Sequence, residues 1–135
     1  MQEATPKSLF LESLARCEAK YGFVPTFYDH FLAQSDVIRD KFADTDFTQQ
    51  NRMLLRSLKL SSGAINGEQA ALQELTQRAE THNRHHLDIK PELYELWLDA
   101  LIKTASEFDD QWSEKIETDW RDILGSVIHH MTKRY

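Results

Sequence analysis

The chain has little of what many functional classes require. It holds one cysteine, Cys17, in 135 residues, so no internal disulfide forms and a reducing compartment is the simpler expectation. Four glycines and three prolines leave few turn signals, and no glycine-rich phosphate loop is present. Alternating apolar and polar runs are absent, which removes half-buried strands. No apolar run approaches the roughly 20 residues that span a bilayer, and no basic start leads into an apolar stretch. The expectation is a soluble, cytoplasmic protein with no membrane partner. The net charge is −6 at pH 7, without the concentrated cationic face that phosphate backbones need, so nucleic acid is not an expected partner either. A chain of this length with 41% apolar residues suits one domain, residues 1–135, with a real core.

What is present is helical. Nearly every apolar residue fits a spacing of three or four, so the chain reads as all-α. Thr5 and Pro6 open a helix that buries Leu9, Phe10, Leu14 and Cys17 before Gly22. Pro25 suits the first turn of a second, in which Phe27, Tyr28, Phe31 and Leu32 form two pairs four residues apart, and Tyr28 points inward. Ser35 and Asp36 cap a short helix carrying Val37, Ile38 and Phe42. Residues 43–47 then form a corner with Phe47 at its tip. From about Thr48 a helix carries Gln50, Leu54, Leu55, Leu58 and Leu60 until Ser61, Ser62 and Gly63 weaken it. Pro91 opens a long helix that buries Tyr94, Trp97, Leu98, Leu101, Ala105 and Phe108. The last helix buries Ile116, Trp120, Ile123, Leu124, Val127 and Met131. An acidic turn at Asp109 and Asp110 joins these two as an antiparallel pair.

Between Glu68 and Pro91 lies the stretch around which the rest is arranged. Leu72, Leu75, Ala79, His82 and His86 keep one inward helical face, so His82 stands where a leucine is expected. A buried imidazole left unpaired costs on the order of 1–3 kcal/mol, so it needs a hydrogen-bond partner or a metal. His82 and His86 form an HxxxH pair able to hold zinc from one helix face, but no third ligand stands at an informative spacing. The repeated ExxH pairs of di-iron bundles are missing. On pattern alone His82 stays open between a ligand and a capped or surface histidine. Tyr28 is likewise open between a core tyrosine and a site residue, and Gln50 between a solvated helix residue and a site residue.

The order FYDHFL at Phe27 to Leu32, Phe42 in the corner, Gln50 before Leu54, and HNRHHLDIKPELYELW from His82 resembles the bacterial single-domain globins. It is more distantly similar to the globin domain of flavohaemoglobins. The resemblance runs from about Phe23 to the end and implies a globin fold, a sandwich of about six to eight helices around a haem b pocket. It implies His82 as the proximal iron ligand, since the interval from Gln50 to His82 matches that of flavohaemoglobins without a gap. His85 is the alternate ligand or a group near a haem propionate; it lies off the Leu75–Ala79 stripe, whereas His82 lies on it. The distal pocket implied is Tyr28, Gln50 and Leu54 with Phe42 stacked on the porphyrin. Phe47, Ile89, Tyr94 and Trp97 complete the residues near the cofactor. One feature departs from flavohaemoglobins: Tyr94 matches the tyrosine of their proximal side, but no matching acid follows in the last helix.

What the resemblance implies for function is binding of O2, NO or CO. Turnover of NO to nitrate, or a pseudo-peroxidase reaction, would need an external reductase, because no flavin and nicotinamide domain follows before Tyr135. A monomer or a homodimer is expected. Two rivals belong to other classes: a haem-based gas or redox sensor that signals through a partner, and a haem-free globin-shaped interaction module.

Overall fold

Short polar side chains set several helix starts by satisfying amides that have no partner within the helix. The Ser35 hydroxyl accepts from the Val37 amide at 3.1 Å. The Asp46 carboxylate accepts from Thr48 at 3.0 Å, and the Ser113 hydroxyl accepts from Ile116 at 3.2 Å. At Gly22 the backbone takes φ of 92°, the left-handed conformation that glycine adopts without steric cost. The chain turns there from the first helix into the second.

The computed structural model describes residues 6–65, 73, 77 and 90–133. Among them are six helices: α1 (Pro6–Glu18), α2 (Phe23–Leu32), α3 (Asp36–Lys41), α4 (Phe47–Ile65), α5 (Pro91–Phe108) and α6 (Glu114–Lys133). Gln73 and Gln77 are helical as well. No strand occurs among the described residues. The expected histidine helix and the turn before Pro91 otherwise fall outside them. None of the described helices is long and apolar enough to cross a membrane.

Helix α2 packs on α5, α1 on α6, and α4 and α5 each lie against α6. The core forms where these meet. Phe10, Leu14 and Cys17 of α1, Leu101 and Ala105 of α5, and Trp120, Ile123 and Leu124 of α6 are all buried. The Phe10 and Trp120 rings meet edge to face at 4.8 Å, a geometry that adds about 0.5–1.5 kcal/mol beyond area burial.

Several expectations change, and Leu9 and Met131, expected in the core, are half-buried. Helix α4 does not weaken at Ser61 to Gly63 but runs on to Ile65. The Ser61 hydroxyl donates to the carbonyl of Ser57 at 2.8 Å, so the serine is accommodated within the helix. Val37 is exposed, because the one buried position of the short α3 is Ile38. On α5 the apolar stripe is unevenly covered. Ala100, Leu101, Ile102 and Ala105 are buried, whereas Tyr94, Trp97, Leu98 and Phe108 are half-buried. Asp109, read as part of an acidic turn, is buried.

A polar clamp explains Asp109. Its carboxylate accepts from the Ser13 hydroxyl at 2.6 Å, from Arg16 Nε at 2.5 Å and Nη2 at 3.0 Å, and from the Gln111 amide at 2.9 Å. The Trp120 indole N–H donates to the same Ser13 hydroxyl at 3.0 Å. Burial alone pushes the Asp109 carboxyl up. The Arg16, Ser13 and Gln111 hydrogen bonds outweigh it and hold the group below its ordinary range.

Candidate functional site

The site is built from an aromatic helix and the corner that folds over it. Phe27, Tyr28 and Phe31 stand one, three and four residues apart on α2, so they share one broad apolar face; all three are buried. Arg39 Nη1 donates to the carbonyl of Leu32 at 2.8 Å, which ties α3 to the end of α2. Phe42, the residue after α3, and Phe47, the first of α4, are thereby brought against that face.

Tyr28 is the centre. Its ring lies 4.8 Å from Phe27 at 66°, 5.9 Å from Phe42 and 5.3 Å from Phe47 at 71°. Phe42 and Phe47 lie near parallel at 6.2 Å. Phe31 also reaches Phe42, at 5.8 Å. Gln50, one turn into α4, comes within hydrogen-bonding reach of the Tyr28 hydroxyl. Burial pushes the Tyr28 hydroxyl up to about 12, with the Gln50 bond acting in the opposite sense. At neutral pH the phenol therefore keeps its proton and is a hydrogen-bond donor in apolar surroundings.

Leu54, one turn beyond Gln50, is buried. Trp97 joins the cluster through Phe27, edge to face at 6.2 Å. Tyr94 stands one turn before Trp97 on α5, and burial pushes its hydroxyl up to about 12. The structure thus brings together Tyr28, Phe42, Phe47 and Gln50, with Trp97 at one remove. His82, His85 and Ile89 lie outside the described residues, as does the HxxxH pair of His82 and His86. Among the described residues no group of three or more His, Cys, Asp and Glu side chains is placed to hold a metal. Sequence reasoning did not assign Phe27 and Phe31 to the site. Their spacing of four beside Tyr28 was the available signal, and it equally describes a plain core face.

No protein-family profile and no curated protein matches the chain. A solved structure does: a protein from Pseudomonas aeruginosa, described as structurally highly homologous to a human haemoglobin. It is 37% identical over 97% of this chain and 98% of that one, with a TM-score of 0.92. An all-helical fold of this kind is that of a globin. The chain belongs to the single-domain bacterial globins.

Proposed function

We propose that this globin binds haem b and, through it, O2 and other diatomic ligands such as NO and CO. The observation that carries the reading is the buried Tyr28 hydroxyl, within hydrogen-bonding reach of Gln50 and walled by Phe27, Phe42 and Phe47. A pocket for a small ligand needs mostly apolar lining with a few placed polar groups, and these residues fit the ligand-binding side of a haem. When bound, haem supplies an iron that takes diatomic ligands on one face.

Within this reading His82 is the proximal ligand, with His85 as the alternate or as a neighbour of a propionate. Phe42, Phe47, Leu54, Ile89, Tyr94 and Trp97 contact the cofactor. Tyr28 donates a hydrogen bond to a ligand carrying partial negative charge, and Gln50 both orients that hydroxyl and adds an amide donor. Preorganised donors in apolar surroundings stabilise such charge more than water does. Removal of NO as nitrate follows if an outside reductase supplies electrons. The chemistry of the Tyr28 and Gln50 pair supports O2 retention, and the haemoglobin likeness of the Pseudomonas protein supports the cofactor.

A haemin titration tests this, with spectra of the ferric, ferrous and CO-bound forms for wild type, His82→Ala and His85→Ala. The expected result is one haem per chain and a ferrous–CO spectrum of the histidine-ligated type, lost in His82→Ala alone. Loss in His85→Ala alone moves the ligand three residues. Absence of haem binding in the wild type ends the proposal.

A further inference from the structure

The first turn of α4 carries two residues that meet Tyr28. Phe47 and Gln50 stand three residues apart, so they lie on one helical face. The Phe47 ring is 5.3 Å from the Tyr28 ring, and Gln50 is within hydrogen-bonding reach of its hydroxyl. A first turn is also where a helix is weakest, because its amides have no carbonyl ahead of them within the helix. Here Asp46 supplies what is missing. Its carboxylate accepts from the Thr48 amide at 3.0 Å and, more loosely, from the Gln49 amide at 3.4 Å. Its own carbonyl accepts from the Gln50 amide at 3.0 Å. Three of the four amides from Phe47 to Gln50 therefore end on one residue.

The approach to that residue is set as well. The Thr45 amide donates to the Phe42 carbonyl at 3.2 Å, a turn that brings Phe47 back beside Phe42, with the two rings 6.2 Å apart and 20° from parallel. No acidic residue lies in the first turn of α4, so the carboxylate that faces the positive end of the helix dipole is that of Asp46. Farther along, α4 is anchored differently, by Leu54 and Leu58 in the core. Loss of the cap thus loosens the turn that carries Phe47 and Gln50 and leaves the body of the helix in place. Replacing an N-cap carboxylate by alanine lets the turn it holds open about fivefold more readily.

We propose that Asp46 is a positioning residue for the Tyr28 hydroxyl: by closing the first turn of α4 it holds Phe47 and Gln50 against Tyr28 and keeps the phenol aimed as a donor. That the donor serves a haem-bound ligand rests on the reading above; that Asp46 holds the turn does not. A cap that only stabilised a helix would serve equally at any helix start, as Ser113 does before α6. The one at Asp46 stands within four residues of both side chains that α4 brings to Tyr28.

The test compares wild type with Asp46→Ala, with Asp46→Asn and Asp46→Ser, which keep a capping oxygen, and with Ser113→Ala, which removes the cap of α6. Hydrogen exchange at single amides is measured on the chain as purified. O2 release and the C–O stretch of the CO-bound form are measured after haem loading, with thermal melts confirming that each variant is folded. In Asp46→Ala the Thr48 and Gln50 amides are expected to exchange about fivefold faster, with the Leu58 amide within about twofold of wild type. O2 release rises about fivefold and the C–O stretch moves to higher frequency, as positive charge beside the ligand is withdrawn. Asp46→Asn, Asp46→Ser and Ser113→Ala leave Gln50 exchange and O2 release within about twofold. On a Tyr28→Phe background Asp46→Ala changes release by less than about twofold, because the donor it positions is gone.

Unchanged exchange at Thr48 and Gln50 in Asp46→Ala overturns the proposal outright. Faster exchange with unchanged O2 release and C–O stretch overturns the positioning role and leaves the haem reading standing. An effect of Asp46→Asn as large as that of Asp46→Ala, or one that persists at full size on the Tyr28→Phe background, overturns it as well. A chain that takes up no haemin overturns the haem reading and with it the role toward a ligand, whichever way the exchange falls.

Discussion

A tyrosine buried among phenylalanines is ordinary core until its hydroxyl is accounted for. Tyr28 is only 4% exposed, and its hydroxyl has Gln50 within hydrogen-bonding reach, a side chain that a purely apolar core would replace. Leaving such a hydroxyl without a partner costs on the order of 1–3 kcal/mol, so the pair is the arrangement that lets a donor persist inside the fold. A hydrogen bond to a charged acceptor is worth roughly 1.5–3 kcal/mol, or about ten- to a hundredfold in dissociation. Haem-loaded Tyr28→Phe is therefore expected to release O2 about ten- to a hundredfold faster than wild type in stopped-flow replacement by CO. An unchanged rate removes Tyr28 from the ligand chemistry. That the tyrosine points inward was readable from its spacing with Leu32, and the globin resemblance set Gln50 beside it; that the Phe47 ring packs on it was not, because Phe47 approaches from a different helix.

Among the helices, the join of α5 and α6 depends most on a single side chain. Asp109 fastens the turn to α1 through Ser13 and Arg16, and Ser13 passes the connection to Trp120 of α6. Removing one partner of a buried ion pair leaves the other charge uncompensated, at a cost of about 3–5 kcal/mol; with Arg16 one-quarter exposed, Asp109→Asn is expected to cost about 2–4 kcal/mol. The carboxyl is held below its ordinary range, so its contribution is fully present above the ordinary carboxylate pKa. It is lost as pH falls through the lower folded value. Urea melts across pH 2–7 check this: the acid decline of wild type should be shallower in Asp109→Asn. A variant of wild-type stability shows the clamp to be incidental.

For the molecule as a whole, Cys17 is a built-in reporter. It is fully buried, its thiol points to the carbonyl of Ala105 at 3.7 Å, and burial pushes it up to about 12. Both access and thiolate are withheld until the core opens, so labelling by a chromogenic disulfide should be negligible over minutes in native protein and complete in denaturant. Rapid labelling without denaturant means that α1 separates from α5 on its own. The sequence by itself determined the all-helical class and most helix starts, because spacing, capping serines and aspartates, and prolines act within a few residues. It also carried the globin resemblance through Tyr28, Phe42, Gln50 and the His82 run. Tertiary structure alone decided that Phe42 and Phe47 close on Tyr28, that the turn residue Asp109 is a buried clamp, and that α4 passes through Ser61. Each of these depends on which helix lies against which, and that is set by contacts between residues far apart in the chain, to which local periodicity is blind.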